Sequence, residues 1–532
     1  MSNKLSFNND ARAHILKGIN TLAAAVTTTL GPKGNCVVIT DYTHDGKPHV
    51  TKDGVTVAKN ITLQDPEENA GACMIREAAL KTVTSVGDAT TTSIVLANAL
   101  INAADECVRA GANPVDIKQQ IQAASQKVME CMPDKTVKVR NAEDLKHIAT
   151  ISANNDETLG TIVADSFNVV GPNGIVRVEE AHSTSNTSFD VKRGIHFENG
   201  YLSNHFATAN MENPDKSICE LTNPYVLLSE KRLEKVEDIA VILNGIAHDK
   251  KSLLIVAADF DNTVVEAFRY NAMEGRLKCC LVKAPLYGEF RKAWLEDIAI
   301  FTGSKCLTYD NHLEFKDVTW DMIGKAGKVI VSKDDTTILD GYADPEVVKE
   351  YVNTLQKQLK DVQSSEEQAG SFVQKQLEQR IAQLAGGIAT IYVGGITQLE
   401  MKERKDRIED AVCATSSAVK YGIVRGGGVT HRDLALSVFK SAVTDGERIL
   451  RKAMCTPYCT LLASINKETK LYEAPNSGWN ILTGTFVPDV LAEGIIDPYK
   501  ACEEAFQNAI SVVLLYLSTA CVISPLPNIT IV

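Results

Sequence analysis

The stretch Gly87-Asp-Ala-Thr-Thr-Thr92 decides how this chain is interpreted, because it leads straight into the helical sequence Ser93-Ile-Val-Leu96. Three hydroxyl groups and several backbone N–H groups would lie at a helix N-terminus, where the positive end of the helix dipole favours an anion. The neighbouring Asp88 carboxylate is suited to hold Mg²⁺ beside phosphate oxygens. The same string is also typical of an ordinary helix N-cap, so taken alone it leaves both interpretations open.

Two glycine-rich turns and two further carboxylates favour the phosphate interpretation. In Leu30-Gly-Pro-Lys-Gly34 and Arg425-Gly-Gly-Gly428, residues without a Cβ allow the backbone to approach a ligand closely. Asp53 and Asp410 supply carboxylates able to orient or deprotonate an attacking water. The sequence contains no G-x-x-x-x-G-K-[ST] motif and no G-x-G-x-x-G between a strand and a helix. Phosphate binding would therefore use another loop.

Composition limits the classes of protein that the chain can represent. Its 532 residues, 44% apolar and 23% charged, suit a globular protein of about three to four domains. The 67 acidic and 55 basic residues give a formal charge of −12. This balance disfavours a nucleic-acid partner, because phosphate backbones bind clustered Lys and Arg.

Cysteine usage and hydropathy indicate the compartment. The thirteen cysteines are scattered, without the paired C-x-x-C motifs of a zinc site, so we expect reduced thiols in a cytosol. Residues 1–10 lack the layout of a signal peptide, and the longest apolar stretch, residues 510–523, is too short to span a bilayer. We expect a soluble cytoplasmic protein with no membrane partner.

Hydrophobic periodicity divides the chain into three parts. Residues 10–134 and the region from Ile408 onward have helical patterns, interrupted by a short strand at 36–39. Between them, β-branched runs alternate with helical stretches, which is typical of α/β or α+β domains. These runs are 175–178, 225–228, 253–256, 280–282, 328–331 and 389–393. Residues 355–384 predict a helical hairpin that turns at Ala369-Gly370. A helical domain split between the chain ends, with an α/β domain inserted, is the predicted architecture.

Ordered motifs along nearly the whole chain resemble those of group I chaperonins of the GroEL type, and this chain is identified as a divergent member. The matching strings are Asn9-Asp-Ala-Arg12, Thr29-Leu-Gly-Pro-Lys-Gly34, Thr51-Lys-Asp-Gly-Val55, Gly87-Asp-Ala-Thr-Thr-Thr92, Ile151-Ser-Ala-Asn154, Val282-Lys-Ala-Pro285, Leu384-Ala-Gly-Gly387, Glu400-Met-Lys-Glu403, Arg407-Ile-Glu-Asp-Ala411 and Gly426-Gly-Gly-Val429.

The resemblance implies the chaperonin fold, a multi-domain α/β (α+β) architecture. Residues 1–134 and 421–532 would form a helical equatorial ATP-binding domain. Residues 135–193 and 387–420 would form a small intermediate hinge domain, and residues 194–386 an α/β apical domain that binds polypeptides.

The resemblance also implies a site for ATP and Mg²⁺, with roles carried over position by position. Asp88 would hold Mg²⁺, and Asp410, assisted by Asp53, would position and activate the hydrolytic water after its segment swings down onto the phosphate. Ala89 replaces the usual glycine, and a Cβ there would crowd a backbone that has a positive φ or lies in close contact with a neighbour. The implied ATP-binding residues are Thr29, Leu30, Gly31, Pro32, Lys52, Asp88, Ala89, Thr90, Thr91, Thr92, Gly427, Asn480 and Asp497.

The family's polypeptide-binding surface maps onto positions that are apolar or aromatic in this chain. They are Tyr201, Phe206, Val236, Leu243, Val265 and Phe268. Ala240, His205 and Arg269-Tyr270 depart from the family pattern and predict a more polar groove. The helical spacing of these positions is also what a helix facing a core would have, so both interpretations stay open.

The function implied by the resemblance is that of an ATP-dependent chaperone. It would assemble as a homo-oligomeric ring, seven-fold by resemblance, and bind non-native polypeptides. The alternative is a ring-forming holdase or structural assembly with weak or no ATP turnover. Retention of Asp53, Asp88 and Asp410 argues against that alternative, and the need for a co-chaperonin stays open.

Overall fold

The computed structural model describes residues 3–40, 48–171, 174–181, 186–207, 217–364, 372–467 and 474–525. The helices in this part of the chain are α1 (Asn8–Thr27), α2 (Gly54–Asn60), α3 (Pro66–Val86), α4 (Thr90–Arg109), α5 (Pro114–Cys131), α6 (Ala142–Ser152), α7 (Glu157–Val170), α8 (Ala240–His248), α9 (Asn262–Met273), α10 (Gly288–Thr302), α11 (Pro345–Ser364), α12 (Phe372–Gly386), α13 (Gln398–Tyr421), α14 (Val429–Val438), α15 (Asp445–Met454), α16 (Thr456–Ala463) and α17 (Tyr499–Ser518).

Eighteen strands accompany these helices in the described residues. They are β1 (Asn3–Phe7), β2 (Val37–Thr40), β3 (Pro48–Thr51), β4 (Ile175–Glu180), β5 (Ser188–Lys192), β6 (Gly194–Phe197), β7 (Cys219–Thr222), β8 (Tyr225–Leu233), β9 (Leu253–Phe260), β10 (Cys279–Lys283), β11 (Gly324–Val331), β12 (Thr336–Gly341), β13 (Ile388–Val393), β14 (Ile423–Arg425), β15 (Gly478–Asn480), β16 (Thr485–Val487), β17 (Ile496–Pro498) and β18 (Cys521–Pro525).

The chain divides into two compact units. The first comprises Met1–Asp165, Val178–Ser188 and Tyr392–Val532, and the second comprises Ser166–Arg177 and Phe189–Ile391. The first unit thus combines both ends of the sequence, while most of the second is one long insertion.

The first unit is organised around the buried faces of its long helices. In α4, apolar residues at helical spacing, from Ile94 through Leu100 to Ala104, are completely buried. Helix α17 packs against α3, α4 and α5 along a similarly buried stripe that includes Phe506 and Val513. Burying each large apolar side chain contributes about 1.5–3 kcal/mol, so this core fixes the direction of α4, whose N-terminus follows Gly87-Asp88.

The two chain ends meet in a small sheet that the sequence patterns did not predict. Strand β1 pairs antiparallel with β18, from Asn3 opposite Pro525 to Phe7 opposite Cys521. The hydroxyls of Ser6 and Ser524 donate to the buried carboxylate of Glu67 at 2.7 Å and 3.3 Å. A polar contact therefore attaches this sheet to the start of α3.

The second unit is built on a seven-stranded sheet. Its order is β10-β9-β8-β11-β12-β6, with β7 also paired to β11. Strands β8, β9 and β10 are parallel and each contains a buried apolar run, as expected for strands connected by the crossover helices α8 and α9. Beside this sheet, Arg380 of α12 donates two hydrogen bonds, of 2.6 Å and 2.7 Å, to the buried Asp297 carboxylate of α10.

Most elements agree with the sequence predictions. The runs 253–256, 280–282 and 389–393 lie inside β9, β10 and β13. Helices α11 and α12 form the predicted pair, but the turn at 369–370 lies outside the described residues. Within the described part of the chain, no helix is long and apolar enough to cross a membrane.

Candidate functional site

The phosphate-loop candidate is an uncapped helix start. Helix α3 ends at Gly87, whose φ of 76° is left-handed, and α4 begins at Thr90 after Ala89 with φ of 66°. No side chain caps α4, so the backbone N–H groups of Thr90, Thr91 and Thr92 are offered at the positive end of the helix. The expectation of a positive φ at Ala89 is confirmed.

Helix α13 lies against this loop. A Cβ added to Gly87 would fall 2.5 Å from Cβ and 2.7 Å from Sγ of Cys413, so only glycine allows this approach. We expected Asp410, one turn earlier on α13, to reach the loop only after its segment moved. In this conformation α13 is already there, because the bare Gly87 backbone admits the Cys413 side chain.

The turn before β2 joins the same site. Gly31 adopts φ of 73°, and a Cβ there would fall 2.3 Å from Cδ2 of Leu461. Thr29 Oγ1 lies 3.5 Å from Thr91 Oγ1 in the first turn of α4. Lys52 Nζ donates to the Pro32 carbonyl at 3.3 Å. These contacts bring the Thr29–Pro32 turn and Lys52 to the predicted phosphate loop.

Asp53 lies beside the loop as the N-cap of α2. Its carboxylate accepts hydrogen bonds from the N–H groups of Val55 at 3.0 Å and Thr56 at 2.8 Å. The next residue, Gly54, is so close to α4 that a Cβ would fall 2.4 Å from Thr91 Oγ1. Capping fixes the direction of the Asp53 carboxylate, which places it near the Thr91 end of α4.

The carboxyl groups of Asp88 and Asp410 are buried close to other carboxyl groups, and neither forms an ion pair with a lysine or arginine among the described residues. Burial raises the pKa of Asp88 against hydrogen bonds from the Ala89 N–H and the Ser152 hydroxyl, and the Asp53 carboxylate raises it further. Burial also raises the pKa of Asp410 well above its ordinary value, and the carboxylates of Asp88 and Asp53 add to this effect. The three groups therefore lie within electrostatic reach of one another.

Asp497 and the glycine triad form another wall of the site. Strands β14 and β17 pair antiparallel with Val424 opposite Asp497. The Gly427 N–H is hydrogen-bonded to the Asp497 carboxyl group. A Cβ on Gly426 would fall 3.1 Å from Cγ of Asp497, so the triad must be bare for this contact. Burial, together with the Asp88 charge, raises the pKa of Asp497 to about 7.

Asn480 lies on a separate hairpin, β15–β16. Its Oδ1 accepts from the N–H groups of Leu482 at 3.1 Å and Thr483 at 3.4 Å, which shapes the hairpin turn. The neighbouring Trp479 ring packs edge-on to Phe486 and has Lys467 Nζ 4.9 Å from its centre. The recorded side-chain contacts of Asn480 are thus with its own turn rather than with the phosphate loop.

The donors and charges present fit a magnesium-bound nucleotide. Uncapped N–H groups, Lys52 and bare glycine backbone would receive phosphates, and a cation would relieve the mutual repulsion of Asp53, Asp88 and Asp410. The one preformed triad of ligand atoms among the described residues lies elsewhere, at His14, Asp65 and Glu68. There Lys17 pairs with Glu68, and Asp65 accepts hydrogen bonds from backbone N–H groups at the start of α3, so both carboxylates already have partners.

A known protein family resembles this chain along most of its length. The sequence profile of the TCP-1/cpn60 chaperonin family matches residues 22–526. The chain belongs to the chaperonin family. This confirms the resemblance and identifies the chain as one of the ATP-dependent molecular chaperones.

Solved chaperonin structures share the fold. The chaperonin gp146 from the bacteriophage EL 2 (Pseudomonas aeruginosa), crystallised in the presence of ATP-BeFx, matches with a TM-score of 0.74 at 23% identity over 98% of this chain and 99% of that chain. Another crystal form of gp146 gives a TM-score of 0.67 at 22% identity, with the same coverage. At this identity the match supports the fold alone.

The predicted polypeptide-binding residues of this chaperonin fall into two groups in the second unit. Tyr201, Phe206 and Phe268 are core residues, 7%, 8% and 2% exposed, so they present almost no surface to a client in this conformation. Val236, Leu243 and Val265 are half-buried and pack against the same core. Tyr201, Phe206 and Phe268 therefore behave as residues that face a core, which was one of the two interpretations left open by their sequence spacing.

The surface around those helices is more polar than the apolar spacing suggested. Tyr270 and Met273 of α9 and Val241 of α8 are exposed, 55%, 62% and 81%. Arg269 forms an ion pair with Glu266 on the solvent side of α9. An exposed surface of mixed aromatic and charged character therefore replaces a uniformly apolar groove.

Sequence reasoning missed two contacts at the candidate nucleotide site. The Ser152 hydroxyl donates to Asp88 Oδ2 at 3.2 Å from α6. Cys413 covers Gly87 from α13. The string Ile151–Asn154 was among the motifs shared with the family, but it was given no function. Its Ser152 hydroxyl could have indicated the first contact.

Proposed function

We propose that this chaperonin hydrolyses ATP in its first unit and couples hydrolysis to the folding of non-native polypeptides. The observation that carries the proposal is the Asp410 carboxyl group, which lies within electrostatic reach of Asp88 and Asp53 beside the uncapped start of α4. In the proposal, this carboxyl group acts on the water that attacks the terminal phosphate.

Each residue has a physical role in this proposal. The N–H groups of Thr90–Thr92 and the turn at Thr29–Pro32 receive the phosphates, while Lys52 adds positive charge. Asp88 holds Mg²⁺, which when bound supplies charge neutralisation of the phosphate oxygens. Asp410 accepts a proton from the attacking water, and its raised pKa makes it a stronger base than an exposed aspartate.

Residues on the other side of the site complete the nucleotide contacts. In this proposal, Gly427 would let the backbone approach the phosphates, and Asp497 and Asn480 would contact the ribose and the base. Leu30 joins the small apolar cluster that includes Trp479 and Ile495, a suitable surface for a purine ring.

The experiment that tests the proposal compares binding with turnover in Asp410→Asn. We expect nearly unchanged Mg·ATP affinity and hydrolysis slowed by about 10²–10⁴-fold, the usual contribution of a positioned base. Asp406→Asn, one turn earlier on α13, removes a nearby charge but no group above the loop, and should alter turnover by less than about threefold. Equal rates for Asp410→Asn and the wild type would refute the assignment.

The assembly and location are further parts of the proposal. We infer a homo-oligomeric ring, seven-fold as in the GroEL type, whose equatorial (1–134, 421–532), intermediate (135–193, 387–420) and apical (194–386) domains act as in the family. Clients would contact half-buried Val236, Leu243 and Val265. Weak grooves repeated around a ring gain affinity through effective concentration. The thirteen cysteines all lie in described residues and form no disulfide there, which supports the proposed reducing cytoplasm.

A further inference from the structure

A buried ion pair joins the phosphate side of the candidate site to its base side. Helix α14 begins directly after the glycine triad, and one turn into it Arg432 is completely buried. Its Nε and Nη2 donate to Asp433 Oδ1 at 2.9 Å and 2.7 Å. The guanidinium also lies 4.5 Å from the centre of the Tyr458 ring.

This pair holds the segment that leads into the β15–β16 hairpin. Arg432 Nη2 donates to the Ser477 carbonyl at 2.8 Å, and Asp433 Oδ2 accepts from the Asn476 N–H at 2.7 Å. Asn476 adopts φ of 70°, and Trp479 and Asn480 follow two and three residues after Ser477. Both charges therefore bind backbone groups of one short turn, which fixes where the hairpin starts.

A single helical turn connects the glycine triad to the ion pair, so the separation between them is short and fixed. From Gly428 to Arg432 the helix rises about 6 Å, at about 1.5 Å per residue. One turn of α14 thus lies between the glycine triad, which contacts Asp497, and the Asn476–Ser477 turn, which precedes Asn480. A buried ion pair is a poor source of net stability, because desolvation of the charges offsets their attraction. The main physical consequence of this pair is therefore the geometry that it imposes on the turn before the hairpin.

We propose that Arg432 and Asp433 are positioning residues for nucleobase recognition, holding the Trp479–Asn480 hairpin at a fixed distance from the phosphate-binding glycine triad. The proposal rests on the proposed nucleotide site. In this proposal, Arg432 and Asp433 contact neither the base nor the phosphates, but they determine how much the base contributes to nucleotide affinity. The affinity for phosphate ligands that lack a base should therefore not depend on this pair.

Hydrogen exchange of the wild-type chain provides the first test. Inorganic tripolyphosphate with Mg²⁺ should slow amide exchange in the phosphate loop, residues 87–93, but not in residues 474–487. ATP with Mg²⁺ should slow exchange in residues 87–93 and also in 474–487. If ATP leaves the second segment unprotected while protecting the first, the hairpin does not read the base and the proposal is overturned.

The second test is Asp433→Asn, which keeps the size of the side chain. We expect ATP affinity to fall by about 10- to 100-fold, the loss of one charge-assisted contact, with tripolyphosphate affinity changed less than about threefold. The ratio of ATP to GTP affinity should move toward one, and amide exchange in 474–487 should speed up without nucleotide. Asp445→Asn, which removes a surface pair with Arg448, is the matched control.

The outcomes separate this inference from the proposed function. Equal losses for ATP and tripolyphosphate would mean a merely structural role and would overturn the inference. Normal ATP affinity and base preference in Asp433→Asn would overturn it as well, while leaving the nucleotide site intact. A wild-type chain that binds neither ligand would instead reject the proposed function. If Asp433→Asn does not fold, the wild-type exchange pattern decides.

Discussion

Asp497 should make the nucleotide-free chaperonin less stable as the pH rises. Burial and the nearby Asp88 charge raise its pKa from 3.8 to about 7. A carboxyl group with a raised folded-state pKa contributes stability that is complete below the unfolded pKa and is lost as the pH rises through the folded pKa. The window of loss for this group therefore lies between about pH 4 and pH 7.

The magnitude follows from the two pKa values. Between pH 5 and pH 8 the unfolded chain loses no further proton from this group, while the folded chain loses nearly one, which amounts to about 2–3 kcal/mol. Solvent screening at a partly exposed site reduces this to about 1–2 kcal/mol. For a unit of this size that is a shift of about 2–4 °C in unfolding temperature.

The assay is thermal unfolding of nucleotide-free, metal-free protein at pH 5 and pH 8. Asp497→Asn does not titrate, so its unfolding temperature relative to wild type should rise by about 2–4 °C from pH 5 to pH 8. Comparing the two pH values cancels any constant effect of the substitution. A difference that is the same at both pH values would show that Asp497 titrates normally and would refute the reasoning.

Asp489 provides the matched control on the same face of the first unit. Although burial acts in the opposite direction, hydrogen bonds from Arg425 and the Leu491 N–H lower the pKa of Asp489. Its stabilising effect is therefore present throughout the range from pH 5 to pH 8 and is lost only in acid. Asp489→Asn should lower the unfolding temperature by the same amount at both pH values.

Three other variants test the metal ligand, the phosphate loop and the client surface. Asp88→Ala should abolish the Mg²⁺ dependence of nucleotide affinity measured by calorimetry, and equal affinities in wild type and variant with Mg²⁺ would show that the metal lies elsewhere. Ala89→Gly should relieve a left-handed backbone that costs about 1 kcal/mol and speed hydrolysis; an unchanged rate means that the loop already accommodates the Cβ. Arg269→Val with Tyr270→Val should tighten binding of an apolar client peptide in fluorescence anisotropy, and unchanged binding would place the client surface away from α9.

The sequence could predict the parts of the site that follow local rules. Hydroxyls before a helix, glycines at left-handed φ and an aspartate N-cap each follow from a few consecutive residues, and the structure has all three at 29–34, 53–56 and 87–92. The alternation of strands and helices in the second unit is likewise a short-range pattern.

The contacts that the sequence did not reveal join residues far apart in the chain. Ser152 meets Asp88 across 64 positions, Arg432 meets Ser477 across 45, and Ser524 meets Glu67 across 457. No periodicity encodes such pairs, because each depends on how whole helices pack. The burial of Phe268 could not be predicted for a similar reason. An apolar position on a helix has the same sequence pattern whether it faces a client or the core of its own domain.

The loop 87–92 shows why one glycine is required while the next left-handed residue has become alanine. At Gly87 a Cβ would meet Cys413 at 2.5 Å, so any side chain there would push α13 and its Asp410 away. Ala89 has nearly the same φ but its methyl group packs against the helical core of the first unit. That contact offsets part of the backbone strain of about 1 kcal/mol. Divergence at Ala89 therefore leaves the position of the candidate catalytic carboxylate intact, whereas divergence at Gly87 would not.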